Sequence, residues 1–114
     1  MIKGVGIDVV DIKRFEQSLE RTPGLKPKLF TEAERVKSIQ SLAARFAAKE
    51  ALVKALGAEI SFLWHEVEVV NLEGGRSAFI FHGSVADLVD GATVHLSISH
   101  DAGIATAIVI VEHS

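Results

Sequence analysis

The chain has 114 residues, 48% of them apolar and 24% charged, with a net charge of −3. That suits one domain over 1–114 with a modest core, is too apolar for a disordered tail, and disfavours generic nucleic-acid binding. There is no cysteine, no apolar run near the ~18 residues of a membrane span and no legible signal peptide. Disulfides, thiolate metal sites and cysteine nucleophiles are excluded, and a cytoplasmic protein without a membrane partner is expected.

Residues 1–10, MIKGVGIDVV, predict a buried strand, with Gly4 and Gly6 marking a close approach to its backbone and Asp8 and Asp11 at its end. Ile12, Phe15 and Leu19 then repeat at helical spacing through residue 21. Pro23, Gly24 and Pro27 predict a loop. Thr31 followed by Glu34 is a capping-box signature. The helix it opens is expected to reach Leu56, with a break near Ser38–Ser41 and a stop at Gly57. WHEVEVVNL (64–72) and SAFIFH (77–82) predict strands joined at Glu73-Gly74-Gly75-Arg76, and Ser84–Val89 a short helix. In 93–99, Val94, Leu96 and Ile98 alternate with His95, Ser97 and Ser99; a turn over His100–Gly103 leads to a last strand, Ile104–Val111. The order β-α-α-β-β-α-β-β is that of an α+β fold with mostly antiparallel pairing.

The helix SLAARFAAKEALVKAL (41–56) is unusual. At about 100° per residue, Leu42, Phe46, Leu52, Val53 and Leu56 share one arc, and Arg45 and Lys49 fall inside it. Either these cations snorkel past the apolar residues, or they serve a site. Glu50 and Lys54 lie at the edge of the arc, spaced for a surface ion pair. Alanines 43, 47, 48 and 51 keep the other faces slim enough for another backbone to approach.

Asp8 is open to two readings: a helix cap, as Asp11 is too, or half of a hard-metal site with Glu50, Lys54 and Arg45 holding phosphates beside it. In LSISHD (96–101), Ser97, Ser99 and His100 are either a polar sheet face or donors at a strand end. The five histidines form no zinc pattern. No nucleophile elbow is present, and GVGIDV lacks the third glycine of a dinucleotide fingerprint.

Taken in order, GVGIDVVDIKRFE (4–16), FTEAE (30–34), ARFAAKEALVKALG (44–57) and LSISHD (96–101) resemble the holo-[acyl-carrier-protein] synthase family, the small 4′-phosphopantetheinyl transferases. The resemblance spans nearly the whole chain, and RFAAKEA with a lysine four residues after its glutamate is its most specific part. It implies a magnesium-dependent transfer of 4′-phosphopantetheine from coenzyme A to a serine of apo acyl carrier protein, giving adenosine 3′,5′-bisphosphate. It further implies Asp8 and Glu50 as magnesium ligands, with Lys54 as the third catalytic residue. Arg45, Lys49, Lys54, Gly57, Ser99 and His100 would lie on the coenzyme A side, and Arg14 and Arg21 would dock the carrier. Between 13 and 28, five cations face two carboxylates, which suits an acidic partner. Members are homotrimers with active sites between subunits, an arrangement in which Arg45 and Lys49 would face a neighbour and a ligand. The chain departs from the family in GAEISFL, where many members have a glycine-rich loop, and in Ser77, where a proline is common. A non-catalytic trimeric binding module and a magnesium-dependent phosphohydrolase are the alternatives.

Overall fold

A computed structural model describes residues 1–114. Strand β1 (Ile2–Asp11) runs into helix α1 (Ile12–Arg21), which is capped by Asp11: its carboxylate accepts from Arg14 N at 2.9 Å. Asp11 thus does the capping that was also open to Asp8. A short helix α2 (Leu25–Leu29) occupies part of the expected loop. Pro27 is tolerated there because first-turn N–H groups have no intrahelical acceptor.

The capping box forms, with Thr31 N donating to Glu34 Oε1 at 2.9 Å, but it opens only the single turn α3 (Glu32–Arg35). The expected break falls at Ser38, whose hydroxyl caps α4 (Ile39–Leu56) by accepting from Ser41 N. Gly57 ends α4 in the left-handed conformation, φ 66°. A 3₁₀ segment over Ser61–Glu66, with Trp64 buried within it, replaces the start of the strand expected over 64–72. β2 (Val67–Asn71) and β3 (Ser77–Phe81) then pair as a hairpin. Helix α5 (Gly83–Leu88) has no cap of its own; Glu66 accepts from Val85 N and Ser84 Oγ, both at 2.9 Å. β4 (Ala92–Asp101) and β5 (Ile104–His113) complete the chain. His100 lies within β4, so the turn is tighter than expected, made by Ala102 and Gly103 at positive φ.

The strands form two antiparallel sheets, β1-β5-β4 and β2-β3. Helix α4 lies across the first of them, and its alanines face the sheet: Ala43, Ala47, Ala48, Ala51 and Ala55 are all buried. A Cβ added at Gly4 or Gly6 would come within 1.8 or 1.9 Å of the carbonyl oxygens of Ala55 and Ala51. Glycine on β1 and alanine on α4 thereby let two backbones meet. The slim helix face is filled by the chain's own sheet and is not free for a second subunit.

The first strand is not buried as expected. Gly6 and Val10 face α4, whereas Val5, Ile7 and Val9 on the opposite face are 55%, 58% and 61% exposed. Ile104 and Ile108 continue this apolar outer face onto β5.

Candidate active site

Helix α4 carries two charge clusters. Toward its C-terminal half, Asp8 on β1 faces α4, on the same side of the strand as Gly6 and Val10. Lys54 Nζ donates to Asp8 Oδ1 at 3.1 Å and to Ile7 O at 2.8 Å, so the lysine reaches across to the strand. Glu50 stands beside this pair. Partial burial, then the negative charges of Asp8 and Glu59, push its carboxyl above the usual carboxylate range, while Lys54 pulls the other way. Asp8, Glu50 and Arg14 line one open depression of about 410 Å³, with Phe46 at its side. The structure therefore brings together Asp8, Glu50 and Lys54, which spacing alone left apart. Arg21 sits at the exposed end of α1, away from this depression.

Toward the N-terminal half of α4, Arg45 and Lys49 turn inward. Neither snorkels: Lys49 is 0% and Arg45 4% exposed. Lys49 Nζ donates to Glu34 Oε1 at 2.7 Å, Leu29 O at 2.8 Å and Trp64 O at 3.3 Å, and lies over the Phe30 ring. Its three donors are filled from within the chain. It is a core counter-ion in this chain, whereas the resemblance places it on the coenzyme A side. Burial pulls the Lys49 ammonium below the usual lysine range, although Glu34 opposes this.

Arg45 is different. Its Nη1 donates to Ser41 Oγ, its Nε lies 3.9 Å from Glu34 Oε2 without a hydrogen-bond partner, and its side chain lines a cleft of about 870 Å³. Ser38, Asn71, Ser77 and His100 line the same cleft. Ser99, on the opposite, outer face of β4, does not. Gly57 holds the turn after α4 and also lies outside it. This cleft and the depression at Asp8 share no residue, so one chain presents two separate openings.

Sequence reasoning missed Glu34 as more than a cap. It is 1% exposed, and its second oxygen accepts from Val69 N at 3.0 Å. A signal existed: two cations on an apolar arc require a buried anion, and the capping-box Glu34 is the nearest acid preceding them in the sequence.

Residues 4–109 match the family model for the 4′-phosphopantetheinyl transferase superfamily. Among curated relatives, the holo-[acyl-carrier-protein] synthase of Clavibacter michiganensis subsp. michiganensis is 56% identical, the alignment covering 98% of this chain and 97% of the relative. That of Frankia alni is 50% identical, covering 97% and 98%. Among solved structures, the Chronobacterium ammoniagenes synthase in complex with coenzyme A superposes with a TM-score of 0.85 at 32% identity, covering 97% of each chain. The synthase of Neisseria meningitidis superposes with a TM-score of 0.88 at 26% identity, covering 98% and 99%. The chain belongs to the 4′-phosphopantetheinyl transferase superfamily and, within it, to the holo-[acyl-carrier-protein] synthases.

Proposed function

We propose that this transferase moves 4′-phosphopantetheine from coenzyme A to a serine of apo acyl carrier protein, with magnesium, releasing adenosine 3′,5′-bisphosphate. The observation that carries the reading is the convergence of Asp8, Glu50 and Lys54 beside a depression that Arg14 also lines. Two carboxylates lining one depression, one of them held above its usual range by burial and then by the other, are a hard-oxygen donor set that fits magnesium. With only two such groups, substrate phosphates and water would fill the remaining positions. When bound, the ion supplies charge neutralisation at the pyrophosphate.

The protein's own groups account for the rest. Lys54 is held at Asp8 by exposed contacts and is free to turn its ammonium toward phosphoryl oxygens, where charge develops in the transition state. Arg45 and His100 line the second cleft, where a nucleotide phosphate would be anchored. The serine oxygen forms a new bond to the β-phosphorus as the bond from that phosphorus to the bridging oxygen breaks; the bridging oxygen leaves on adenosine 3′,5′-bisphosphate and the serine proton passes to water. Arg14 and Arg21 on α1 would receive the acidic carrier.

The separation of the two openings, and the apolar outer face of Val5, Ile7, Val9 and Ile108, support a homotrimer in which neighbouring copies complete each site. Light scattering that gives an active monomer would overturn that assembly. No helix is long and apolar enough to cross a membrane, and a cytoplasmic location is part of the proposal. Incubation with coenzyme A, apo carrier and magnesium tests the reaction. A mass gain of one phosphopantetheine on the carrier supports it. Free phosphopantetheine would indicate the phosphohydrolase, and no product the binding module.

A further inference from the structure

We infer that Glu34 is a positioning residue for anion binding: it fixes the guanidinium of Arg45, and through it the phosphate end of the substrate. The inference rests on the reading of the Arg45 cleft given above. Glu34 is buried and immobilised from four sides. Oε1 accepts from Thr31 N and Lys49 Nζ, Oε2 accepts from Val69 N, and Arg45 Nε stands 3.9 Å from Oε2. Two cations therefore share one fully buried carboxylate. Lys49 has all three donors filled, whereas Arg45 Nε has no hydrogen bond. The unfilled donor thus belongs to the member of the cluster that lines the cleft of about 870 Å³.

Glu68 also faces this cluster and its negative charge acts on both Arg45 and Lys49, but from beyond ion-pair distance; its carboxylate lies 3.7 Å from His82 Nε2. A buried cation short of a counter-charge is costly unless an anion arrives. With Ser41 accepting from Nη1 and Glu34 facing Nε, the rest of the planar fork is aimed before any ligand binds.

Field and position predict opposite signs. If Glu34 acted only through its charge, Glu34→Gln would raise the positive potential and tighten anion binding. If Glu34 positions Arg45, the same change loosens the fork and weakens binding. Because Glu34→Gln also strands Lys49, the charge-balanced pair Glu34→Gln/Lys49→Met is measured alongside it. Isothermal titration with adenosine 3′,5′-bisphosphate is the readout; partial unfolding lowers the stoichiometry, not the affinity of the folded fraction. The expected result is a Kd raised about tenfold in both variants, a coenzyme A KM raised in parallel, an unchanged carrier KM, and substantial recovery in Glu34→Asp. Tighter or unchanged binding in both variants overturns the inference. If Arg45→Gln itself leaves Kd unchanged, the reading of the cleft falls and takes the inference with it. If Arg45→Gln weakens binding and the Glu34 variants do not, the inference alone fails.

Discussion

Lys49 and Lys54 stand on the same helix, yet the chain treats them in opposite ways. Lys49 is fully buried, with three acceptors, one of them a carboxylate at 2.7 Å. Lys54 has a half-exposed side chain and a carboxylate at 3.1 Å that is itself beside a second carboxylate. In the first cluster the fold completes every bond of the lysine, so the charge is structural. In the second, Asp8 and Glu50 share Lys54 and open onto solvent in a depression that Arg14 also lines, which leaves room for a partner from outside. Arg45 lies between these cases, buried like Lys49 but bordering a cleft. Burial alone therefore does not separate a structural charge from a functional one; the tally of filled partners does.

The largest effect should come from breaking the closed cluster. Lys49→Ala leaves Glu34 buried without its near counter-ion, at a cost of about 3–5 kcal/mol, a large part of a typical domain's total of about 5–15 kcal/mol. Urea denaturation measures it. A loss below about 1 kcal/mol would show that the two clusters do not differ as described.

Breaking the open cluster should do the reverse. Asp8→Ala and Glu50→Ala should each lower transfer by about a hundredfold or more while moving stability by only about 1 kcal/mol, since both side chains are half-buried at the rim of the depression. Activity within a few-fold of the parent at saturating magnesium would sink the metal assignment. Gly6→Ala tests the contact that joins strand and helix. Its Cβ meets the Ala51 carbonyl, so about 1–3 kcal/mol should be lost, and transfer should fall with it because β1 and α4 set the spacing of Asp8 and Glu50.

A smaller effect sharpens the contrast through pH. The folded-state proton affinity of Glu50 is raised by burial and by Asp8. Its contribution to stability is therefore fully present below the unfolded carboxylate value and is lost as pH rises through the folded one. At neutral pH, Glu50→Gln should raise the melting temperature of the metal-free protein slightly, and magnesium should raise it in the parent but not in the variant. A lower melting temperature in Glu50→Gln would show that ionised Glu50 is stabilising. The smallest effects are expected at the rim. Arg14→Glu and, more weakly, Arg21→Glu should raise the carrier KM several-fold and flatten its salt dependence, leaving the coenzyme A KM unchanged. Only Arg14 lines the depression with Asp8 and Glu50. The opposite pattern would move the carrier to another surface.

The sequence by itself determined the local events, because they depend on neighbours a few residues away. Capping by Thr31 and Ser38, the stop at Gly57, the Gly74-Gly75 hairpin and the alternation through Val94, Leu96 and Ile98 all form where side-chain chemistry and spacing put them. Gly4 and Gly6 announced a close backbone approach, and the motifs around Asp8 and Glu50 announced the family. Only the tertiary structure decided what met what. Lys49 had to be packed against Glu34, Leu29 and Trp64 before it could be told from a ligand-binding lysine. The alanine face of α4 fitted a neighbouring subunit or a strand equally well, until Gly4 and Gly6 of the same chain filled it. The exposure of Val5, Ile7 and Val9 followed from α4 covering one face of β1 only. Burial and long-range electrostatics depend on distances between residues far apart in the chain, and no local pattern encodes those distances.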